Sequence, residues 1–314
     1  MTYAIPGEIA LVNRDFDTTG YIDRLYAADL GGNIWRVDLE PAGYTAAASS
    51  VGPSTWKMTK FAAVGGSSNT TKRKFFYPPD IVATKAFDMV LAATGDREHP
   101  LYSANTSQAY SVVNRFYGFK DLNTGASVPA TWSTSSEIID DTSDTDTSNP
   151  AVSTMTDVTP TVSVPSPAYD PSTANNGFYL TFVSAGEKAV NAPLTVGGFT
   201  YVGTNTPQVP TSTTCTTLGT ARGYAINFLT GGAMPGGTLY TTFATGGLPP
   251  SPVAGLVNVT VDGKNRLVPF CLGCGDPTGG GGPDATSSLG GGKPKIPVPP
   301  IRKRIYWYLD KHDG

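Results

Sequence analysis

Charge is what this sequence has least of. Only 15% of its 314 residues are Asp, Glu, Lys or Arg, against roughly 25% in an average globular protein. The 22 Lys+Arg nearly balance the 25 Asp+Glu, leaving a net charge of −3. That balance gives no long-range field for holding nucleic acid or an anionic membrane surface. There are two histidines, His99 and His312, which argues against a multi-histidine metal centre and weakens a Ser-His-Asp reading. No run of about 20 apolar residues is present to span a membrane as a helix. Nor is there a Gly-Lys-Ser/Thr phosphate loop, an HExxH, a G-x-S-x-G or a dinucleotide fingerprint. Arg-Gly-Asp is absent, as are the long Ala/Leu/Glu/Lys runs of a helical or α/β enzyme. The opening residues, Met1 to Gly7, have no basic start followed by an apolar run, so they do not read as a signal peptide.

What the chain has instead is 36 Gly, 26 Pro and 10% aromatic residues, with 39% hydrophobic residues to build a core. Few charges with many Gly, Pro, Thr, Val and Tyr signal short strands joined by turns. The low charge and the Thr/Ser/Gly-rich text fit an exported protein. Export without a signal leads to the expectation of a fragment or split-gene product, with a cytosolic protein as the plainer alternative.

The strands repeat a pattern. Leu25-Tyr-Ala-Ala-Asp29, a Gly31-Gly32-Asn33 turn and Ile34-Trp-Arg-Val-Asp-Leu39 read as a β-hairpin. Phe87 to Thr94 is followed, after an insertion, by Asn114 to Asp121 and a turn at Asn123-Thr-Gly125. Gly198 to Thr204 is followed by Ala221 to Leu229 and Thr230-Gly-Gly. Arg304 to Asp310 is a last strand of the same kind. Units of this type are blade-like: each small antiparallel sheet cannot bury both faces alone and stacks on the next. The expected fold is therefore all-β, a partial β-propeller, with blades over residues 1–270.

Two segments interrupt it. Residues 135–150, with Asp140, Asp141, Asp144 and Asp146 among Ser and Thr, read as an exposed acidic insertion, a solvated loop rather than a second metal site. Residues 271–300 read as a Gly/Pro-rich loop, with Gly273 to Gly292 a flexible excursion. Residues 301–314 are expected to return as a closing strand and tail.

The sharpest chemical motif is Asp15-Phe-Asp17-Thr-Thr19-Gly20-Tyr21-Ile22-Asp23. Calcium takes six to eight hard oxygen ligands, and an EF-hand-like loop supplies them from positions 1, 3, 5, 7 and 9. Those positions are Asp15, Asp17, Thr19, the Tyr21 carbonyl and Asp23, with Gly20 at the sharp turn. Thr19 is a neutral ligand, and position 12 is Tyr26 rather than a bidentate Glu, so binding should be moderate or weak. No amphipathic helix flanks the loop, which makes it a calcium loop between strands. A metal-free Asp/Thr/Gly turn is the competing reading. Gly95-Asp-Arg-Glu-His99-Pro100 has no nucleophile at a known spacing and reads as a turn whose charges pair with neighbouring blades. Cys271-Leu-Gly-Cys274 precedes a glycine tract rather than a helix, which favours a structural disulfide over redox or zinc chemistry. Whether Cys215 joins Cys271 or Cys274, or those two join each other, the spacing leaves open.

The stretch from Asp15 through Leu39 resembles the C-terminal β-propeller of the PilY family, the type IV pilus tip-associated adhesins and assembly factors. Ala93 to Pro100, Val113 to Tyr117, Gly186 to Leu194, Gly203 to Pro207, Gly219 to Phe228 and Gly247 to Val253 extend the likeness, in order, across the whole chain. The family's calcium loop has acidic or amide side chains at positions 1, 3, 5 and 9; the match holds at Asp15, Asp17 and Asp23 and departs at Thr19. The family's propeller has about seven blades, within the usual range for the fold, so this chain corresponds to its C-terminal half. The resemblance implies a non-enzymatic protein of the cell surface and pilus tip, exported through the periplasm. It implies calcium-dependent control of pilus extension and retraction in twitching motility, and surface adhesion. Its implied partners are minor pilins and an unidentified surface or host ligand. A half propeller also implies open sheet edges and an upstream polypeptide or second chain to complete it. The rival readings are a pyrroloquinoline-quinone dehydrogenase-like propeller enzyme, for which no vicinal cysteine pair or ligand funnel is present, and a purely structural half propeller.

Overall fold

Eighteen short strands carry the described part of the chain. A computed structural model describes residues 2–13, 22–39, 56–124, 139–140, 155–161, 168–173, 175–210, 218–234, 237–244, 246–261, 264–274 and 291–292. Among these residues there is no α-helix, only a single 3-10 turn at Ala109–Ser111.

The strands fall into four sheets, taken in chain order. The first joins β1 (Ala10–Val12), β2 (Arg24–Ala28), β3 (Asn33–Asp38) and β4 (Lys57–Ala63) as an antiparallel meander. The second joins β5 (Asp80–Ala83), β6 (Asp88–Ala93) and β7 (Arg115–Asp121). Two short edge strands come next in the chain, β8 (Ile139–Asp140) and β9 (Met155–Asp157), before β10 (Gly177–Thr181) completes the second meander against β7. The third sheet holds β11 (Lys188–Ala189) and β12 (Leu194–Val196), both on β13 (Phe199–Thr206), followed by β14 (Thr220–Asn227) and β15 (Tyr240–Thr242). The fourth holds β16 (Val253–Val261), β17 (Lys264–Leu272) and β18 (Gly291–Gly292).

Alternation along the strands stacks these sheets face to face. On β6, Val90 and Ala92 enter one apolar cluster with Tyr26, Ile34 and Phe61 of the first sheet. Met89, Leu91 and Ala93, on the opposite face, enter a second cluster with Val202, Tyr224 and Ile226 of the third. β7 divides likewise, Tyr117 and Phe119 one way and Phe116 the other. That is why every residue of β6 and β7 is buried although the strands alternate. A third cluster, with Phe199, Tyr201 and Ala225, packs the outer face of the third sheet on Cys271, Cys274 and Ala254. Each cluster lies between two consecutive sheets, and burying a large apolar side chain in it contributes about 1.5–3 kcal/mol.

One edge strand of each sheet meets its counterpart in the next: β1 touches β5, β5 touches β12 and β12 touches β16. Meandering sheets, packed face to face and meeting along one edge, are blades around an axis. The expected hairpins are present as read, with the Gly31-Gly32-Asn33 turn pinned by Asp29. Its Oδ1 accepts the backbone N–H groups of Gly31 (2.8 Å) and Asn33 (3.0 Å), and its Oδ2 accepts the Trp35 indole N–H (2.8 Å).

The acidic insertion at 135–150 is not wholly exposed as read: it is built in at one point, and a second short strand follows it. Ile139, fully buried, and Asp140 add a parallel edge to β4 of the first sheet, while Met155–Asp157 adds one to β10 of the second. In the 271–300 segment, Gly291 and Gly292 pair with Leu272 and Cys271. Residues 141–154, 275–290 and the expected closing strand at 301–314 lie outside the described residues.

Candidate functional site

The two ends of the blades differ. At one end lie the β1–β2 connection, with the 15–23 motif, and the turn between β5 and β6. At the other lie the turns after β2, β4, β6 and β10.

At the first end, β1 and β2 close a hairpin around the 15–23 motif. Val12 pairs with Arg24, the Asp23 N–H donates to the Val12 carbonyl at 3.1 Å, and the Leu39 N–H donates to the Asp23 carbonyl at 2.9 Å. Asp23, the ninth position of the motif, is therefore fixed by backbone on both sides and is buried. Asp15, Asp17, Thr19 and Tyr21 lie outside the described residues. Among the described residues no group of three or more His, Cys, Asp or Glu forms a metal cluster.

Directly beside Asp23 is an arrangement that sequence reading missed. Arg24 Nη1 donates to Asp88 Oδ2 of the second sheet at 2.6 Å, and Arg24 Nε donates to Asp38 at 3.2 Å. Arg36 Nη2 donates to Asp38 at 2.7 Å, and its Nη1 to Asp121 Oδ2 at 2.7 Å. The Tyr26 hydroxyl donates to the same Asp121 oxygen at 2.7 Å. All six side chains are buried. Burial alone disfavours the Arg24 guanidinium, but Tyr26 and the three carboxylates over-compensate and hold its pKa above the ordinary value. Burial, reinforced by Asp121, pushes the Tyr26 phenol well up. The network is a clamp between two blades. Its signal in the sequence was one arginine in each strand of a largely apolar hairpin, Arg24 on β2 and Arg36 on β3.

At the other end, the turn after β6 is held through Asp96, Arg97 and the His99 carbonyl, while Glu98, expected to pair as well, is exposed. Lys74 Nζ donates to Asp96 Oδ2 at 2.8 Å, and His99 Nδ1 lies 2.9 Å from the same oxygen. Burial works against the Asp96 carboxylate, but Lys74 and His99 outweigh it and lower its pKa. Arg97 Nη1 donates to the Tyr77 hydroxyl at 3.1 Å. Lys188 of the third sheet donates to the His99 carbonyl at 2.6 Å. Farther out, buried Glu187 accepts the hydroxyls of Thr204 (2.6 Å) and Tyr224 (3.0 Å) and an N–H of Arg222 (2.8 Å).

Cys271 and Cys274 are joined as a disulfide and buried in the third apolar cluster, which selects one of the three pairings left open. Cys215 lies outside the described residues.

No family model matches the chain, and no curated protein matches it in sequence. Among solved structures, the PilY1 C-terminal domain of Pseudomonas aeruginosa is similar, with a TM-score of 0.53 over 84% of this chain at 16% identity. The chain spans 58% of that structure's length. At this identity the likeness shows the fold, and it agrees with the blade stacking described above: an all-β, propeller-like architecture.

Proposed function

We propose that this chain is a non-enzymatic, pilus-associated extracellular domain that takes calcium in its β1–β2 connection. The observation that carries the reading is the shared fold with the PilY1 C-terminal domain over 84% of the chain. The donor set supports the calcium part. Asp15, Asp17, Thr19, the Tyr21 carbonyl and Asp23 are all hard oxygens at the spacing such a loop uses. The described member, Asp23, is anchored by its backbone at the root of the hairpin. When bound there, the ion would supply positive charge that offsets the motif's three carboxylates. The chain's part is to hold that loop on β1 and β2, at the edge of the first blade, where a minor pilin or a surface would meet it. Among the described residues no helix is long and apolar enough to cross a membrane.

Calorimetric titration with calcium tests this. Wild type should bind, and Asp15→Ala and Asp23→Ala should each abolish binding while far-ultraviolet circular dichroism keeps its β signature. Unchanged affinity in either variant overturns the site. Retention of the purified chain on immobilised minor pilins, weakened by chelation, tests the pilus role.

A further inference from the structure

We propose that the blade end opposite the calcium motif binds a carbohydrate, in a cleft between the turns after β4, β6 and β10. The cleft has two adjoining compartments. The first is a cavity of about 160 Å³ bordered by Lys72, Lys74, Asp96, His99, Gln108 and Asn114. The second, of about 500 Å³, is bordered by Tyr110, Val113, Phe182 and Val183. Val112 and Asn114 border both, so the two lie side by side at the Ala109–Ser111 turn.

The polar compartment selects by its mixture of charge. Asp96 has given one oxygen to Lys74 and His99, while its other oxygen, Oδ1, is buried with no hydrogen-bond partner. Lys72, Lys74 and the amide of Gln108, all able to donate, border the same compartment. An ammonium ligand would meet two lysines, and a carboxylate ligand would meet the ionised Asp96. A neutral ligand whose groups both donate and accept satisfies all of them, which is the property of hydroxyls on a sugar ring.

The second compartment supplies the apolar surface that a ring's C–H face needs. Tyr110 is held in place there: its ring packs on Gly186, where a Cβ would come within 2.4 Å of ring atoms, and meets Tyr102 edge-on at 4.7 Å. Gly186 has φ +72°, a conformation that glycine adopts without strain. The backbone beneath is rigid too. The Val113 N–H donates to the Thr70 carbonyl (2.9 Å), the Phe182 N–H to the Asn114 carbonyl (3.2 Å), and Asn114 Nδ2 to the Glu187 carbonyl (3.0 Å). The turns of the first and second blades, and the segment that enters the third, are thus locked to one another, with polar and aromatic groups preset on their surface.

Saturation-transfer NMR on the whole chain, with methyl α-D-mannoside, N-acetyl-D-glucosamine and lactose as separate probes, tests the inference. At least one should receive saturation and shift the backbone amides of Gln108, Ala109 and Asn114. Gln108→Ala, on an exposed side chain, and Tyr110→Ala should each weaken that probe about 3–10-fold, the size of one lost neutral hydrogen bond or ring contact. Calcium removal should leave this binding in place. Absence of binding by all three probes overturns the proposal. So does equal binding by both variants, or succinate or a short acidic peptide shifting the same amides when no sugar does.

Discussion

Arg24 on β2 and Asp88 on β6 lie 2.6 Å apart, both sealed from solvent, and form an ion pair between the first and second blades. The surrounding network contains two arginines, Arg24 and Arg36, and three aspartates, Asp38, Asp88 and Asp121. The formal charge of these five residues is −1, and the two partners of the pair are not equivalent. Arg24→Met leaves three buried carboxylates facing one guanidinium. Asp88→Asn leaves two against two and retains an acceptor.

Urea unfolding should therefore rank the variants. Arg24→Met should cost about 3–5 kcal/mol, the range for an uncompensated buried charge, and Asp88→Asn distinctly less. Arg24→Met/Asp88→Asn should be more stable than Arg24→Met alone, because the second change removes one of the excess carboxylates. A double variant that is simply the sum of its parts would show that the pair is not coupled.

Two other aspartates give opposite pH dependences. Asp80 on β5 receives the Thr195 N–H of β12 at 2.5 Å, but burial dominates and raises its pKa above 3.8. Its stabilising contribution is fully present below the unfolded pKa and is lost as pH rises through the folded one. Asp96 has a lowered pKa, so its contribution is present above the unfolded value and is lost as pH falls through the folded one. Thermal melts across the acidic range should separate them. Asp80→Asn should flatten the loss of stability on the rising side. Asp96→Asn should lower the melting temperature near neutrality and remove the acid-side loss. Parallel profiles for the two variants would contradict this assignment.

How much of this could be read beforehand depends on the length of the pattern. The hairpin from Arg24 to Asp38 and the strands β6, β7, β13 and β14 carry five to eight residues of apolar text each, with Gly or Asn at the turns, and they stand where the residues put them. The repeated Asp or Asn closing each such unit also has a structural counterpart. Asp121 Oδ1 accepts the Asn123 N–H, and Asn227 Oδ1 accepts the Leu229 N–H, so both residues form side-chain turns. What was not legible is long-range and short-lived in sequence. β8 and β9 are two and three residues long, in Ser/Thr-rich text with no period, and their partners are more than twenty residues away or run parallel. The Arg24 clamp was hidden for a related reason: each of its charges looks like an isolated polar residue until the blades stack. Of the calcium motif, the structure bears on Asp23, which is buried, and on Ile22, which is exposed and so does not anchor the loop in the core as its apolar side chain suggests.

Gly95 offers a test of blade spacing. It lies where the second blade meets the third: the Ala189 N–H donates to the Thr94 carbonyl at 3.1 Å, and the Gly95 N–H to the Lys74 carbonyl at 3.0 Å. A Cβ at Gly95 would stand 2.4 Å from the Ala189 oxygen and 2.6 Å from its nitrogen. Backbone is the obstacle, so no rotamer change relieves it. Gly95→Ala should cost at least about 1–3 kcal/mol, the usual range for overpacking, and speed amide exchange at Ala189. A wild-type melting temperature would mean that the blades separate more freely than the structure implies.

The acidic insertion allows a division between anchor and cargo. Ile139 is fully buried among the first interblade cluster and pairs in parallel with Ala62, while Met155, partly buried, packs against the same cluster from the second sheet. The span between them carries Asp141, Asp144 and Asp146 in polar text. If the apolar ends hold this span across two blades, its carboxylates should contribute little to stability and its isoleucine much. Ile139→Ala should cost about 2–5 kcal/mol, the range for emptying such a site in a core. The triple change Asp141→Asn/Asp144→Asn/Asp146→Asn should leave the urea midpoint within error, since carboxylates of one sign in such polar text have little to gain from folding. Limited proteolysis gives an independent readout. Cleavage between residues 141 and 154 should accelerate in Ile139→Ala and stay at the wild-type rate in the triple variant. The reverse order, with the carboxylate changes destabilising and Ile139→Ala neutral, would show that charge rather than the buried edge strand holds the insertion to the blades.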